Sequence, residues 1–246
     1  MAEMQSIIAD KGGKYTDFTG FIDFCGVSCE VADATFTMTR RPGRPSRWDS
    51  QFSIDWENGH WLRGDWPDGV WHGGTWETGN WLQGTWETGV WKDGTWERGS
   101  WKDGSWYEGT WKAGVWNDGI WEKGDWKSGV WDDGAWHGGT WDNGSWHDGI
   151  WESGTWENGR WDGGVWYHGV WNNGVWYEGE WNGGVWNGGN WIKGSWASGT
   201  WTGGHWSDGE WRGGKWFKGN WSTGIDVEGN EHRDPPSVWH NEKSME

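Results

Sequence analysis

A large apolar residue returns at every fifth position along most of the chain, and a glycine follows each one three residues later. From Trp56 to Trp221 that apolar residue is Trp, 34 times in a row, and the glycines run from Gly59 to Gly224. A period of five fits neither the roughly 3.6 of an α-helix nor the roughly 2 of a simple strand, and a glycine in every pentad would cost a helix about 1 kcal/mol each. The pattern predicts a short extended segment and a bend, repeated. The residue before Gly is Asp, Asn or Gly in 18 of 34 pentads, as in Trp91-Lys92-Asp93-Gly94, which is turn chemistry. Trp66-Pro67-Asp68-Gly69 adds a proline at the second position of such a turn. After Gly stands Val, Ile or Thr at 17 of 33 positions, which is strand chemistry.

A repeat β-solenoid satisfies both halves of the pentad. In its square form four pentads make a coil of twenty residues with Gly and Trp inward, and residues twenty apart stack. On that register Val70, Val90, Val130, Ile150 and Val170 fall in one outward column, a candidate interaction surface. Glu57, Glu77 and Glu97 begin a second column, and Leu62 and Leu82 a third. A triangular coil places Thr85, Ser100 and Val115 after Val70, a mixed set, so the square is expected. The arrangement resembles the pentapeptide-repeat proteins, whose pentads also set a small residue two before a large central apolar one. The alternative is a one-layer β-meander of short hairpins, similar to MORN-type sheets. It needs a positive φ before each Gly, where Arg63, Thr78, Gln83, Thr88 and Lys123 stand. A buried Trp core makes one demand: every indole N–H needs an acceptor although the ladder already uses the backbone carbonyls.

Residues 1–55 read as a β-rich leader or anchor. Cys25, Val27, Cys29 and Val31 alternate with polar or small residues, and Phe36 and Met38 alternate with threonines. Extended chain sets the two cysteines about 13 Å apart, too far for a disulfide, so both are expected as buried thiols. An Arg/Pro linker at 40–47 follows, and Arg40, Arg41, Arg44 and Arg47 make it a candidate docking arm. The array spans 56–225. The acidic tail, 226–246, reads as irregular once Ile225 and Val227 have added a last strand.

Composition narrows the function. The 36 Trp among 246 residues must supply most of the core, because Leu is nearly absent. A net charge of -17 excludes a protein whose main task is gripping nucleic-acid phosphates. The start lacks a signal peptide, and no stretch approaches the ~18 apolar residues of a membrane span. No phosphate loop, nucleophile elbow or His-Glu-x-x-His is present, and the eight His are scattered over outward positions. A protein that is not an enzyme and carries no metal or cofactor is expected, located in a virion or else in the cytoplasm.

The unbroken pentads also resemble the long Gly-x-Trp runs of structural proteins of tailed bacteriophages and related viruses. That resemblance implies a virion decoration, spacer or fibre module, joined to other virion or assembly proteins through residues 1–55, with self-association as a further option. Two other readings stand beside it. An acidic DNA mimic binding a topoisomerase requires a continuous acidic stripe, and a Trp-based carbohydrate-binding adhesin requires exposed Trp.

Overall fold

The computed structural model describes residues 5–8, 12–23, 28–40 and 52–237, which are all-β with no helix among them. Two compact units divide the chain, Met1–Gly124 and Asp125–Glu246. Four strands open the first: β1 (Gln5–Ile8), β2 (Gly13–Asp23), β3 (Ser28–Arg40) and β4 (Phe52–Arg63). From β5 (Asp65–Trp66) to β36 (Asn220–Trp221) each pentad supplies one minimal strand, the Trp and the residue before it, and bends over the next three residues. A hairpin of β37 (Gly224–Ile225) and β38 (Glu231–His232) closes the described chain.

Within each unit the strands of the array pair in parallel at a register of fifteen residues. In the first unit Val90 lies between Thr75 and Ser105, and in the second Val170 lies between Thr155 and Val185. The fold is therefore a parallel β-solenoid, and the hairpin meander is excluded. The coil is a triangle of three pentads, not the expected square of four, so 34 pentads make about eleven turns where four to a coil would make about 8.5.

The interior explains the triangle. Trp66, Trp71 and Trp76 meet edge to face at 5.8 and 6.2 Å with planes 71–73° apart, while Trp66 stacks on Trp81 at 4.7 Å and 4°. Three indoles to a coil, edge to face in succession and fully buried, fill the centre. Four at the same spacing would have a diagonal of roughly 8 Å and an unfilled channel, which close-packed interiors do not tolerate. The outer surface agrees. A register of twenty would lay Glu77 over Glu97 and Lys92 over Lys112, like on like at one coil spacing of about 4.8 Å. At fifteen, Lys92 meets Glu77 at 2.9 Å and Lys112 meets Glu97 at 2.7 Å. The column Glu57, Glu77, Glu97 thus speaks against the square rather than for it.

Backbone pairing is regular. The residue before Trp donates its N–H to the Gly carbonyl of the preceding coil, and the residue after Trp donates to the Trp carbonyl, as in Val90 to Gly74 at 3.0 Å and Lys92 to Trp76 at 2.9 Å. Glycine ends each pentad for two reasons. Gly94 has φ of +128°, and a Cβ there would sit 2.3 Å from the Gly79 carbonyl oxygen in the coil below. Only a residue without a side chain adopts that φ and permits that approach. The positive φ lies on Gly itself, so the residue before it is unrestricted, and Thr or Lys stands there without strain.

All array Trp from Trp56 to Trp206 have no exposed surface. Their N–H groups are met unevenly. Trp76 donates to the Asp93 carbonyl at 3.2 Å, Trp166 to Gly183 at 3.1 Å and Trp206 to Thr223 at 3.0 Å. The acceptor in each case belongs to the residue before Gly one coil on, a turn carbonyl outside the ladder. Trp66, Trp81 and Trp86, and in the second unit Trp146 and Trp176, have no acceptor for this group. Leaving it unmet costs about 1–3 kcal/mol, whereas burying an indole of roughly 200 Å² yields about 5 kcal/mol, with stacking in addition. Burial wins.

The leader closes the first unit's N-terminal end by extending the stack. Phe36 on β3 lies over Trp56 at 5.5 Å, and Tyr15 on β2 lies over Phe36 at 5.0 Å. Antiparallel pairing of β2, β3 and β4 places Val31 beside Trp61 and Phe36 beside Trp56. Buried residues of β3 change parity between Val31 and Phe36, which requires a bulge. It occurs at Asp33, with φ of +51°, where the register to β4 shifts. Cys29 is a buried free thiol whose pKa burial pushes up; Cys25 lies outside the described residues. At the far end of the second unit Trp216 and Trp221 are only half-buried, and Trp221 donates to the His232 carbonyl at 3.2 Å. Ile225 enters the last hairpin as expected, while Val227 lies in its exposed loop.

Candidate functional site

With Trp inside and Gly at each bend, three positions per pentad are free to vary, and the coil sets them on three flat sides. The residue before Trp is held in the strand with its side chain outward. In the first unit Val70 stacks on Thr85, and Val90 on Thr75 and Ser105, so the two valines belong to different sides. In the second unit Val130 stacks on Ser145, Ile150 on Ala135 and Val165, and Val170 on Thr155 and Val185. The expected column of Val70, Val90, Val130, Ile150 and Val170 is therefore dispersed and forms no surface within either unit. These positions favour β-branched residues wherever a strand passes, so their recurrence carried no register.

Of the docking arm, Arg40 is exposed at the end of β3, paired with Phe52, and Arg41, Arg44 and Arg47 lie outside the described residues. Other leader charges reach the array: Lys14 pairs with Glu57 at 3.2 Å and Glu30 with Arg63 at 2.7 Å.

The two units dress the same core differently. Acid and base alternate up the sides of the first: Glu77 with Lys92, Glu97 with Lys112, and Glu108 with Lys123 at 2.8 Å. His72 sits between Asp55 and Glu87 at 2.6 and 2.8 Å, and its hydrogen bond to Glu87, ahead of that to Asp55, raises its pKa. One side of the second unit begins with charge, Lys127 on Asp142 at 3.0 Å, and then turns to amides and hydroxyls. Asn172 donates to Glu157 at 3.0 Å, Asn187 to Asn172 at 2.8 Å and Thr202 to Asn187 at 3.1 Å. At the corner beyond this side the pentads carry double glycines, Gly188-Gly189 and Gly203-Gly204, and a shallow groove of about 510 Å³ opens between Asn173 and Lys218. Asn190, His205 and Asn220 form its other wall, stacked in register.

These sides offer recognition chemistry: flat, rigid rows of hydrogen-bonding and charged groups repeated at the coil spacing. Among the described residues no group of three or more His, Cys, Asp or Glu is placed to hold a metal ion. The groove went unread in the sequence because its walls come together only at a register of fifteen. The double glycines were the available signal, since one glycine meets the needs of the bend.

The geometry defines a class, a triangular parallel β-solenoid of pentapeptide-like repeats with a tryptophan-filled core. No protein family matches the sequence, and no curated protein is significantly similar to it.

Proposed function

We propose that the protein is a non-enzymatic structural element, a rigid spacer or decoration module whose outward sides meet partners, serving in a virion as its repeat pattern suggests. The observation that carries this reading is the indole core of each unit, in whose interior a Trp is locked by two stacked and two edge-on neighbours, as Trp81 is by Trp66, Trp96, Trp76 and Trp86. Such an interior resists bending and leaves each side in fixed spacing. The leader is the natural attachment element, since it closes one end and carries its own exposed strand face. Neither rival reading gains support. Opposite charges alternate along the coils where a DNA mimic needs a continuous acidic stripe, and a Trp-based sugar platform needs indoles that stand open, which those of Trp56 to Trp206 do not.

The test is co-sedimentation with purified particles of the virus that encodes the chain, comparing the full chain with a variant lacking residues 1–40. The full chain is expected in the particle fraction and the shortened one in the supernatant. Recovery of the full chain only as free protein in infected-cell lysate sinks the proposal.

A further inference from the structure

The corner groove of the second unit has the makings of a ligand site. Its floor is Gly203, at a position where the solenoid does not require glycine. Unlike the glycine that ends each pentad, Gly203 has no positive φ, and neither has Gly188 one coil below. A Cβ at Gly188 would meet only ordinary contact, 3.4 Å from the Asn172 carbonyl oxygen, and one at Gly203 would sit 3.0 Å from that of Asn187, a tight approach that a shift of a few tenths of an ångström relieves. Asn143, Asn158 and Asn173 occupy the same column in the coils below, so the fold accepts a side chain there. Two successive glycines remove it and leave the groove.

The walls have a definite chemistry. On one side stand Asn173 and Lys218; on the other Asn190, His205 and Asn220 rise one above another at the coil spacing. No carboxylate lines the groove in a chain of net charge -17, and Lys218 forms no ion pair among the described residues. Three amides and an imidazole each offer a donor and an acceptor, the combination that vicinal hydroxyls satisfy, and the ammonium adds a site for a carboxylate. A glycine floor lets a flat ring approach the backbone.

We infer that this groove binds an acidic saccharide, a pyranose whose carboxylate meets Lys218 and whose hydroxyls meet Asn173, Asn190, His205 and Asn220. The buried indoles take no part, so the site differs in kind from a platform of exposed aromatic rings. It does not depend on the virion role.

The experiment is titration of the full chain with a uronic-acid trisaccharide, followed by calorimetry and by chemical shifts of the Asn and His side chains. A neutral trisaccharide and inorganic phosphate serve as parallel ligands. Saturable binding of the uronate is expected, with the neutral sugar and phosphate each at least tenfold weaker. Gly203→Asn, which fills the groove, and Lys218→Gln, which removes the charge at an exposed position, should each weaken uronate binding tenfold or more with an unchanged far-ultraviolet spectrum, and Lys218→Gln with an unchanged melting temperature as well. Failure of the wild-type chain to bind uronate overturns the inference. So does undiminished binding by Lys218→Gln, or phosphate binding equal to that of the uronate, which would mark a simple anion site.

Discussion

Each unit has the same kind of indole interior, and the two differ on the outside. In the first, stacked coils are tied by ion pairs such as Glu97 with Lys112; in the second, the corresponding side carries the amide ladder Asn172, Asn187, Thr202 and then glycine corners. Identical Trp stacking beneath both, 4.7 Å for Trp86 on Trp101 and for Trp161 on Trp176, shows that the surface is not needed to build the coil. Stability lives in the repeated core, and the sides are free to vary.

The largest effect should ignore the difference. Trp86→Ala in the first unit and Trp176→Ala in the second each remove a fully buried indole and should each cost about 3–5 kcal/mol, measured by denaturant unfolding of the full chain. A loss in one unit several-fold larger than in the other would break the claim of like interiors. Next come the glycines. Gly94→Ala forces an alanine to φ of +128° and drives its Cβ against the Gly79 oxygen, a loss of more than about 2 kcal/mol. Gly188→Ala, with no such φ and only an ordinary contact at 3.4 Å, should stay within about 0.5 kcal/mol. Thermal melting of the two variants separates glycine that the fold demands from glycine that it merely permits.

Smaller effects should distinguish the sides. Lys112→Gln is expected to cost at most about 1 kcal/mol at low salt and nothing measurable at about 1 M, because the pair with Glu97 is exposed and screened. Asn187→Ala breaks a neutral ladder and should lose about 1 kcal/mol at either salt concentration. Equal salt dependence of the two would erase the contrast between the units. The smallest effect is a pH dependence that His72 brings to the first. His72, hydrogen-bonded by Glu87 and Asp55, has a pKa raised above its ordinary 6.5. Its stabilisation is therefore complete below about pH 6.5 and lost as pH rises through the higher folded value. His72→Gln should remove that decline, which melting curves across neutral pH would register.

Much of this architecture could be read from the chain. The pentad specifies a bend around Gly and a strand into Trp because those choices are local: φ, turn preference and β-branching act within a few residues. Inward Trp and parallel coils follow, since one apolar side chain per pentad can only be buried by stacking. The alternation in the leader marked its strands but not the bulge at Asp33, which the change of parity between Val31 and Phe36 requires.

The tertiary structure decided the number of pentads in a coil, which the Val and Thr columns misjudge. Closure depends on how indoles from three bends fill a common axis, an interaction among residues five and fifteen apart that half-exposed Val and Thr do not report. The charged residues held the missing information, because Glu77 and Lys92 are complementary at fifteen while Glu77 and Glu97 repel at twenty. The same closure found the indole acceptors in turn carbonyls, scattered the valine column over separate sides, and brought Asn173, His205 and Lys218 to one corner. Sequence therefore fixes the pentad, where the physics is local, and the packed core fixes which pentads become neighbours.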